Sequence, residues 1–214
     1  MKYTTAAVMA TSFLVAACGS KTDANEKNFG AAMSQYMEKK GAQCLRGQKW
    51  PVDFPPMTMK MHERQPLAEV TQMQALEAAG MVKGEDVQVD AVDFIGKPTG
   101  RKIQVRRYTL TDAAQPFSRE QTGTLSTGYT QLCWGQMAID KIVKWEGPMK
   151  FGDYQEAGIT YTYKLTDVAT WASMPEVQAA FVDVKKIPEG AGTMERKHVV
   201  KLTSEGWEAK GLDN

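Results

Sequence analysis

Residues 66–110 read PLAEVTQMQALEAAGMVKGEDVQVDAVDFIGKPTGRKIQVRRYTL, and this stretch carries the clearest structural signals in the chain. Pro66 suits the first position of a helix, where its missing N–H costs nothing. The pattern from there predicts a helix over 66–79. Gly80 follows where a left-handed cap is needed, and Met81-Val82 supply the hydrophobic closure beyond it. Residues 87–95 and 102–110 then read as two strands around the turn Gly96-Lys97-Pro98-Thr99-Gly100. A helix feeding directly into an antiparallel hairpin predicts an α+β fold.

The flanking sequence extends this reading. Phe29, Ala32, Met33, Tyr36 and Met37 make one apolar face of a helix over 26–40, which Gly41 stops. Cys44, Leu45 and Trp50-Pro51 follow in a loop. Further strands are predicted at 136–145, 158–165 and 195–202, with a short helix near 175–182. In the second of these strands Ile159, Tyr161, Tyr163 and Leu165 alternate as a half-buried strand requires. Tyr108-Thr109-Leu110-Thr111-Asp112, Tyr163-Lys164-Leu165-Thr166-Asp167 and Val200-Lys201-Leu202-Thr203-Ser204 share one pattern. It is a common way to turn from strand to short helix, with Thr, Asp or Ser as the N-cap. The 214 residues suffice for one domain or two small coupled lobes, placed at 29–118 and 123–214.

Charge excludes some function classes. With 26 basic and 25 acidic residues the chain does not seek polyanions as a whole. Residues 1–17, MKYTTAAVMATSFLVAA, combine Lys2 with a short apolar run ending in small residues. That run is shorter than the roughly 20 apolar residues a membrane-spanning helix needs. Leu14-Val15-Ala16-Ala17-Cys18 resembles the lipobox of bacterial lipoproteins. The resemblance implies cleavage after Ala17 and acylation of the Cys18 thiol. Gly19 rather than Asp after that cysteine implies sorting to the periplasmic face of the outer membrane. Several acyl chains hold a protein essentially permanently, since each buried CH₂ contributes about 0.8 kcal/mol. Residues 18–28 then read as a polar lipidated tether.

A second resemblance is local. Leu76-Glu77-Ala78-Ala79-Gly80-Met81-Val82, the hairpin after it and Leu110-Thr111-Asp112 are similar to winged-helix domains, which makes the first lobe partly winged-helix-like over 76–114. The wing carries Lys97, Arg101, Lys102, Arg106 and Arg107, against Glu85, Asp86, Asp90 and Asp93 on the preceding strand. Cross-strand ion pairs are the expectation for these charges, and nucleic acid is not an expected partner. An anionic lipid or polysaccharide is the alternative contact.

Other candidate chemistry is sparse. With Cys18 acylated, Cys44 and Cys133 remain, and an oxidising periplasm favours a disulfide between them over two buried thiols. Met57, Met59, Met61 and His62 are soft ligands of the kind that suit Cu(I). The three methionines also alternate, so a strand would place them together on a core face, and core packing is the preferred reading. No metal or other cofactor is expected. His62-Glu63 lacks the second His of a zinc-protease helix, and His198 lies inside an expected strand as a structural residue. There is no G-x-S-x-G, no C-x-x-C and no phosphate-binding glycine loop; Gly190-Ala191-Gly192 lacks the rest of that fingerprint. Trp134, Trp145, Trp171 and Trp207 read mainly as core, and as lining of a groove where exposed.

These observations point to a non-enzymatic membrane-anchored lipoprotein that binds a protein partner, in envelope assembly or as the immunity protein of a secreted toxin. A small-ligand binder, for a metal or a cell-wall fragment, is the alternative. An envelope hydrolase comes third, because paired carboxylates need not be neighbours in sequence.

Overall fold

The computed structural model describes residues 20–46, 49–123 and 126–212, with the side chains of 121–128 left aside. Cys18 and residues 1–17, read from the sequence as a signal peptide, lie outside the described residues. The fold is α+β, built on two antiparallel sheets. Among the described residues no helix is long and apolar enough to cross a membrane.

The larger sheet runs β1 (Ala42–Cys44), β6 (Ser126–Phe151), β7 (Tyr154–Thr166), β8 (Arg196–Thr203) and β9 (Gly206–Ala209), with β5 (Ser118–Gly123) also paired to β6. Helix α1 (Glu26–Lys40) covers one face of it. Asn25 starts that helix by accepting the Asn28 N–H at 2.9 Å. Phe29, Ala32, Met33 and Met37 then meet Ala157, Ile159, Tyr161, Tyr163, Val200 and Trp207 in one core.

The smaller sheet, β2 (Val52–Phe54), β4 (Pro98–Leu110) and β3 (Val82–Val92), has β4 at its centre. Helices α2 (Pro56–Arg64) and α3 (Ala68–Ala78) precede β3. The end of α3 is a Schellman motif: Gly80 has φ 73°, its N–H reaches Glu77 O at 2.9 Å, and Met81 N–H reaches Leu76 O at 2.9 Å. Met81 and Leu76 are both buried, as the motif's hydrophobic contact requires.

The second core packs α3 and the small sheet against Leu132, Trp134, Trp171 and two short helices, α4 (Pro175–Ala180) and α5 (Val182–Glu189). Each core therefore draws on both halves of the chain, because α1 belongs with the large sheet and α4–α5 belong with α3. A boundary near residue 120 would cut through both cores, so lobes 29–118 and 123–214 are not the packing units.

Several local expectations shift. The 66–79 helix starts at Ala68, after an extended Leu67. The 175–182 helix is two short helices that meet at Phe181. The expected turn at 96–100 sits at 93–97, because Asp93 Oδ1 accepts the N–H groups of Ile95 and Lys97 at 3.0 and 2.9 Å. The strand predicted at 136–145 is the middle of a 26-residue strand, which bends through register shifts near Ile139, Ile142 and Glu146.

Candidate functional site

The described part of the segment read as a polar lipidated tether, 20–28, is pinned to the fold. Trp207 Nε1–H donates to the carbonyl oxygens of Thr22 and Asp23, each at 3.1 Å. Asn28 Nδ2–H donates to Ser20 O and Asp23 O, each at 2.8 Å. A Cβ on Gly206 would lie 3.1 Å from Lys21 O, and Gly206 has φ 119°, so glycine answers both the backbone angle and the close approach. Residues 26–28 are already the first turn of α1.

This pinned segment marks one end of the large sheet. Glu156 of β7 pairs with Lys201 of β8, and Thr203 pairs with Gly206, so the β8–β9 turn lies beside the start of β7. The β6–β7 hairpin turns at Gly152-Asp153, at the same end. Its last residues are apolar and uncovered: Phe151 is 63% exposed and Met149 50%. Phe151 stands opposite Tyr154 and Met149 opposite Glu156, so all four share one face. Tyr154 donates its hydroxyl to Glu156 Oε2 at 2.8 Å, and Lys210 Nζ reaches the same oxygen at 2.5 Å. The Lys210 hydrogen bond, helped by that of Tyr154, holds the Glu156 carboxyl below the usual range.

The face of the sheet turned away from α1 is lysine-rich. Ile159, Tyr161 and Tyr163 point into the core, so Thr160, Thr162 and Lys164 point outward. Their neighbours across the ladder are Lys144 and Lys197 for Thr160, and Lys141 for Thr162. Among the described residues Lys141, Lys144 and Lys197 make no ion pair, whereas Lys210 pairs with Glu156. Thr160 and Thr162 are buried on this outward face, consistent with lysine stems lying across the central strand.

A cavity of about 300 Å³ opens at the other end of α1, lined by Tyr36, Lys40, Arg46, Tyr161, Arg196 and His198 among others. The Arg196 guanidinium stacks 4.7 Å from the Tyr163 ring centroid, and its Nε is buried without a hydrogen-bond partner. His198 packs against Tyr36 at 4.4 Å and shares a 2.9 Å hydrogen bond with Lys210 O, a structural placement as its strand position predicts. Burial pushes the Tyr161 hydroxyl up, against the pull of Arg196. The cations suit an oxyanion.

The sequence-predicted residues fall as follows. Cys44 and Cys133 are neighbours across β1 and β6 and form a disulfide. Met57, Met59, Met61 and His62 are not strand residues; they lie on helix α2, which puts Met57 and Met61 on one side and Met59 on another. Met57 and Met61 are 69% and 52% exposed, Met59 packs on the core, and His62 Nδ1 accepts the Leu67 N–H at 3.0 Å. That arrangement does not give the three methionines a shared core face. Among the described residues no three His, Cys, Asp or Glu side chains converge as metal ligands.

The wing charges are largely paired: Lys102 with Asp90 at 2.8 Å, Arg106 with Asp86 at 3.7 Å and Glu77 at 3.4 Å. Arg107 forms a two-pronged pair with Asp53 of β2, both contacts at 2.7 Å, instead of pairing with Glu85 across the hairpin. Of the four tryptophans in the second half of the chain, Trp134, Trp171 and Trp207 are core, and Trp145 is 38% exposed beside Phe29.

Two apolar surfaces were missed by sequence reasoning. One is the Met149–Tyr154 hairpin end; Gly147-Pro148 disguises it by interrupting the strand pattern. The other is the tip of the β3–β4 arm, where Phe94 is 98% and Ile95 59% exposed. Its signal was present: two large apolar residues between Asp93 and Gly96, where a turn calls for polar ones. Comparison with protein-family models, curated proteins and solved structures finds no match to this chain.

Proposed function

We propose that the protein is a lipoprotein, acylated at Cys18 and held on the periplasmic face of the outer membrane, that binds a protein partner and catalyses no reaction. The observation that carries the binding role is the tip of the β3–β4 arm. Val92, Phe94 and Ile95 are 58%, 98% and 59% exposed on a hairpin whose charges are mostly consumed in pairs. Burying such a side chain contributes about 1.5–3 kcal/mol, and exposed aromatic residues are characteristic anchors of protein interfaces. An envelope-assembly component and a secreted toxin are the partner classes.

Photo-cross-linking in cells tests this, with benzoylphenylalanine in place of Phe94. One reproducible protein adduct, lost when Ile95→Asp is added, supports the reading. A blank, or an adduct to lipid alone, overturns it. Cys18→Ala tests the anchor separately: lipid labelling disappears, and its persistence refutes acylation at that residue.

The second reading, a small-ligand binder, rests on the buried unpartnered Nε of Arg196 in the cationic cavity. It predicts a thermal shift with a carboxylate-bearing cell-wall fragment that Arg196→Gln abolishes.

A further inference from the structure

We propose that the β6–β7 hairpin end is a second membrane contact, which docks onto the leaflet carrying the N-terminal lipid and fixes the orientation of the whole domain; this rests on the acylation of Cys18. The argument starts from chain length. Cys18 is two residues before Ser20, and two residues span at most about 7 Å. Ser20 and the residues after it are bound to the fold by Asn28 and Trp207, and Lys21 lies against Gly206. An acyl group at Cys18 therefore leaves almost no free tether, and it draws toward the bilayer the end of the large sheet that holds the β8–β9 turn.

That same end carries the exposed apolar residues Met149 and Phe151, with Tyr154 38% exposed beside them. An aromatic ring, a thioether and a phenol suit the headgroup boundary, where one side of a residue is apolar and the other wet. Behind the tip the outward face supplies Lys144, Lys197 and Lys141, without ion pairs among the described residues, for anionic headgroups. The acidic residues on or beside that face are Asp140, Glu146, Glu156 and Glu208, with Asp153 in the β6–β7 turn and Glu205 in the β8–β9 turn. Glu156 and Glu208 are already paired with Lys210 and Lys201, and Asp140 accepts the Thr162 hydroxyl. On the β3–β4 arm Lys83, Lys102, Arg106 and Arg107 are each paired with a carboxylate, which leaves Lys97 and Arg101 near its tip, and among the described residues nothing ties that tip to the N-terminal segment.

The test uses the full chain, acylated and reconstituted into vesicles of phosphatidylethanolamine and phosphatidylglycerol, with benzoylphenylalanine at 151 or at 168. Val168 is exposed at the opposite end of β7 and serves as the internal control. The mass of the N-terminal peptide reads Cys18 acylation in the same sample. The expected result is a phospholipid adduct at 151 and none above background at 168, with severalfold loss of the 151 adduct in Lys144→Glu/Lys197→Glu. An acylated protein with no lipid adduct at 151, or one that captures a protein there in native envelopes instead, overturns the docking contact and leaves the anchor standing. A protein that is not acylated overturns the anchor and the contact with it.

Discussion

Trp207 and Thr22, 185 residues apart, are joined by a 3.1 Å hydrogen bond from the indole N–H to a backbone carbonyl. The bond closes the N-terminal segment over the last strand, while the Trp207 ring packs edge-on against Phe29 at 4.9 Å. One side chain thus joins the pinned segment, helix α1 and the large sheet.

Trp207→Phe isolates the polar half of that role. Much of the packing on Phe29 is retained, and the donor to Thr22 and Asp23 is lost. The expected cost is about 1 kcal/mol of global stability, the net worth of an ordinary hydrogen bond. The larger effect is local: amide protons of 20–25 exchange faster and a protease cuts there, because the remaining contacts of this segment come chiefly from Asn28. Hydrogen exchange followed by peptide reads this directly. Unchanged protection of 20–25 would show that Asn28 alone suffices.

The disulfide brackets the small sheet. Cys44 and Cys133 are 89 residues apart in sequence, and the loop they close holds β2, α2, α3, β3, β4 and β5. In the chain-entropy account, closing a loop of that length stabilises by roughly 4–5 kcal/mol. Cys44→Ala/Cys133→Ala is expected to lower the unfolding free energy by about that amount in guanidinium titrations. Reduction of the wild type gives the same shift. A loss under about 1 kcal/mol would mean that sheet pairing already confines the unfolded loop.

Signals within one element were legible, and signals that depend on distant partners were not. Helix α1 announces itself through Phe29, Met33 and Met37, and the end of α3 through Gly80, because each motif is complete within a few residues. Met57, Met59 and Met61 misled, since spacing of two fits a strand and the i, i+4 pair Met57–Met61 fits a helix equally. The polar segment 20–25 read as a tether because the donor that pins it, Trp207, lies almost at the other end of the chain. The lysine face of the large sheet escaped notice for the same reason: Lys141, Lys144 and Lys197 become neighbours only once β6, β7 and β8 are in register.

The Glu156–Lys210 pair gives a pH signature. Its hydrogen bonds, from Lys210 first and Tyr154 second, lower the Glu156 carboxyl and raise the Lys210 ammonium. A lowered acid stabilises the fold above its unfolded value, near 4.3, and that contribution disappears as pH falls through the folded value. A raised amine contributes fully below about 10.4 and loses its share as pH rises through its folded value. The pair therefore acts across the neutral range and fails at both extremes. The stability difference between wild type and Glu156→Gln, measured in urea, is expected to be small but constant near neutrality and to close as pH falls through the lowered Glu156 value. A difference that persists unchanged in acid would mean that the substituted amide disturbs packing rather than charge.

Two glycines separate backbone angle from close approach. Gly80 has φ 73° with open space where a Cβ would go, so Gly80→Ala carries only the left-handed penalty, about 1–2 kcal/mol. Gly41 has an ordinary φ of −81°, yet its Cβ would press on the backbone oxygens of Met37 and Met137 and on the Gln136 amide. Those oxygens belong to the end of α1 and to β6, which Gly41 bridges: its N–H donates to Met37 O at 2.8 Å and its carbonyl accepts Met137 N–H at 2.8 Å. Relief requires helix and sheet to separate, so Gly41→Ala is expected to cost about 3 kcal/mol, the upper end for overpacking. Asn in place of Gly80 should recover part of the Gly80→Ala loss, because Asn tolerates the left-handed region; at Gly41 it should be worse than Ala, because it is larger. Equilibrium unfolding of the four variants checks the order. If Gly80→Ala proves the more damaging alanine variant, the contact between α1 and β6 is looser than the geometry at Gly41 requires.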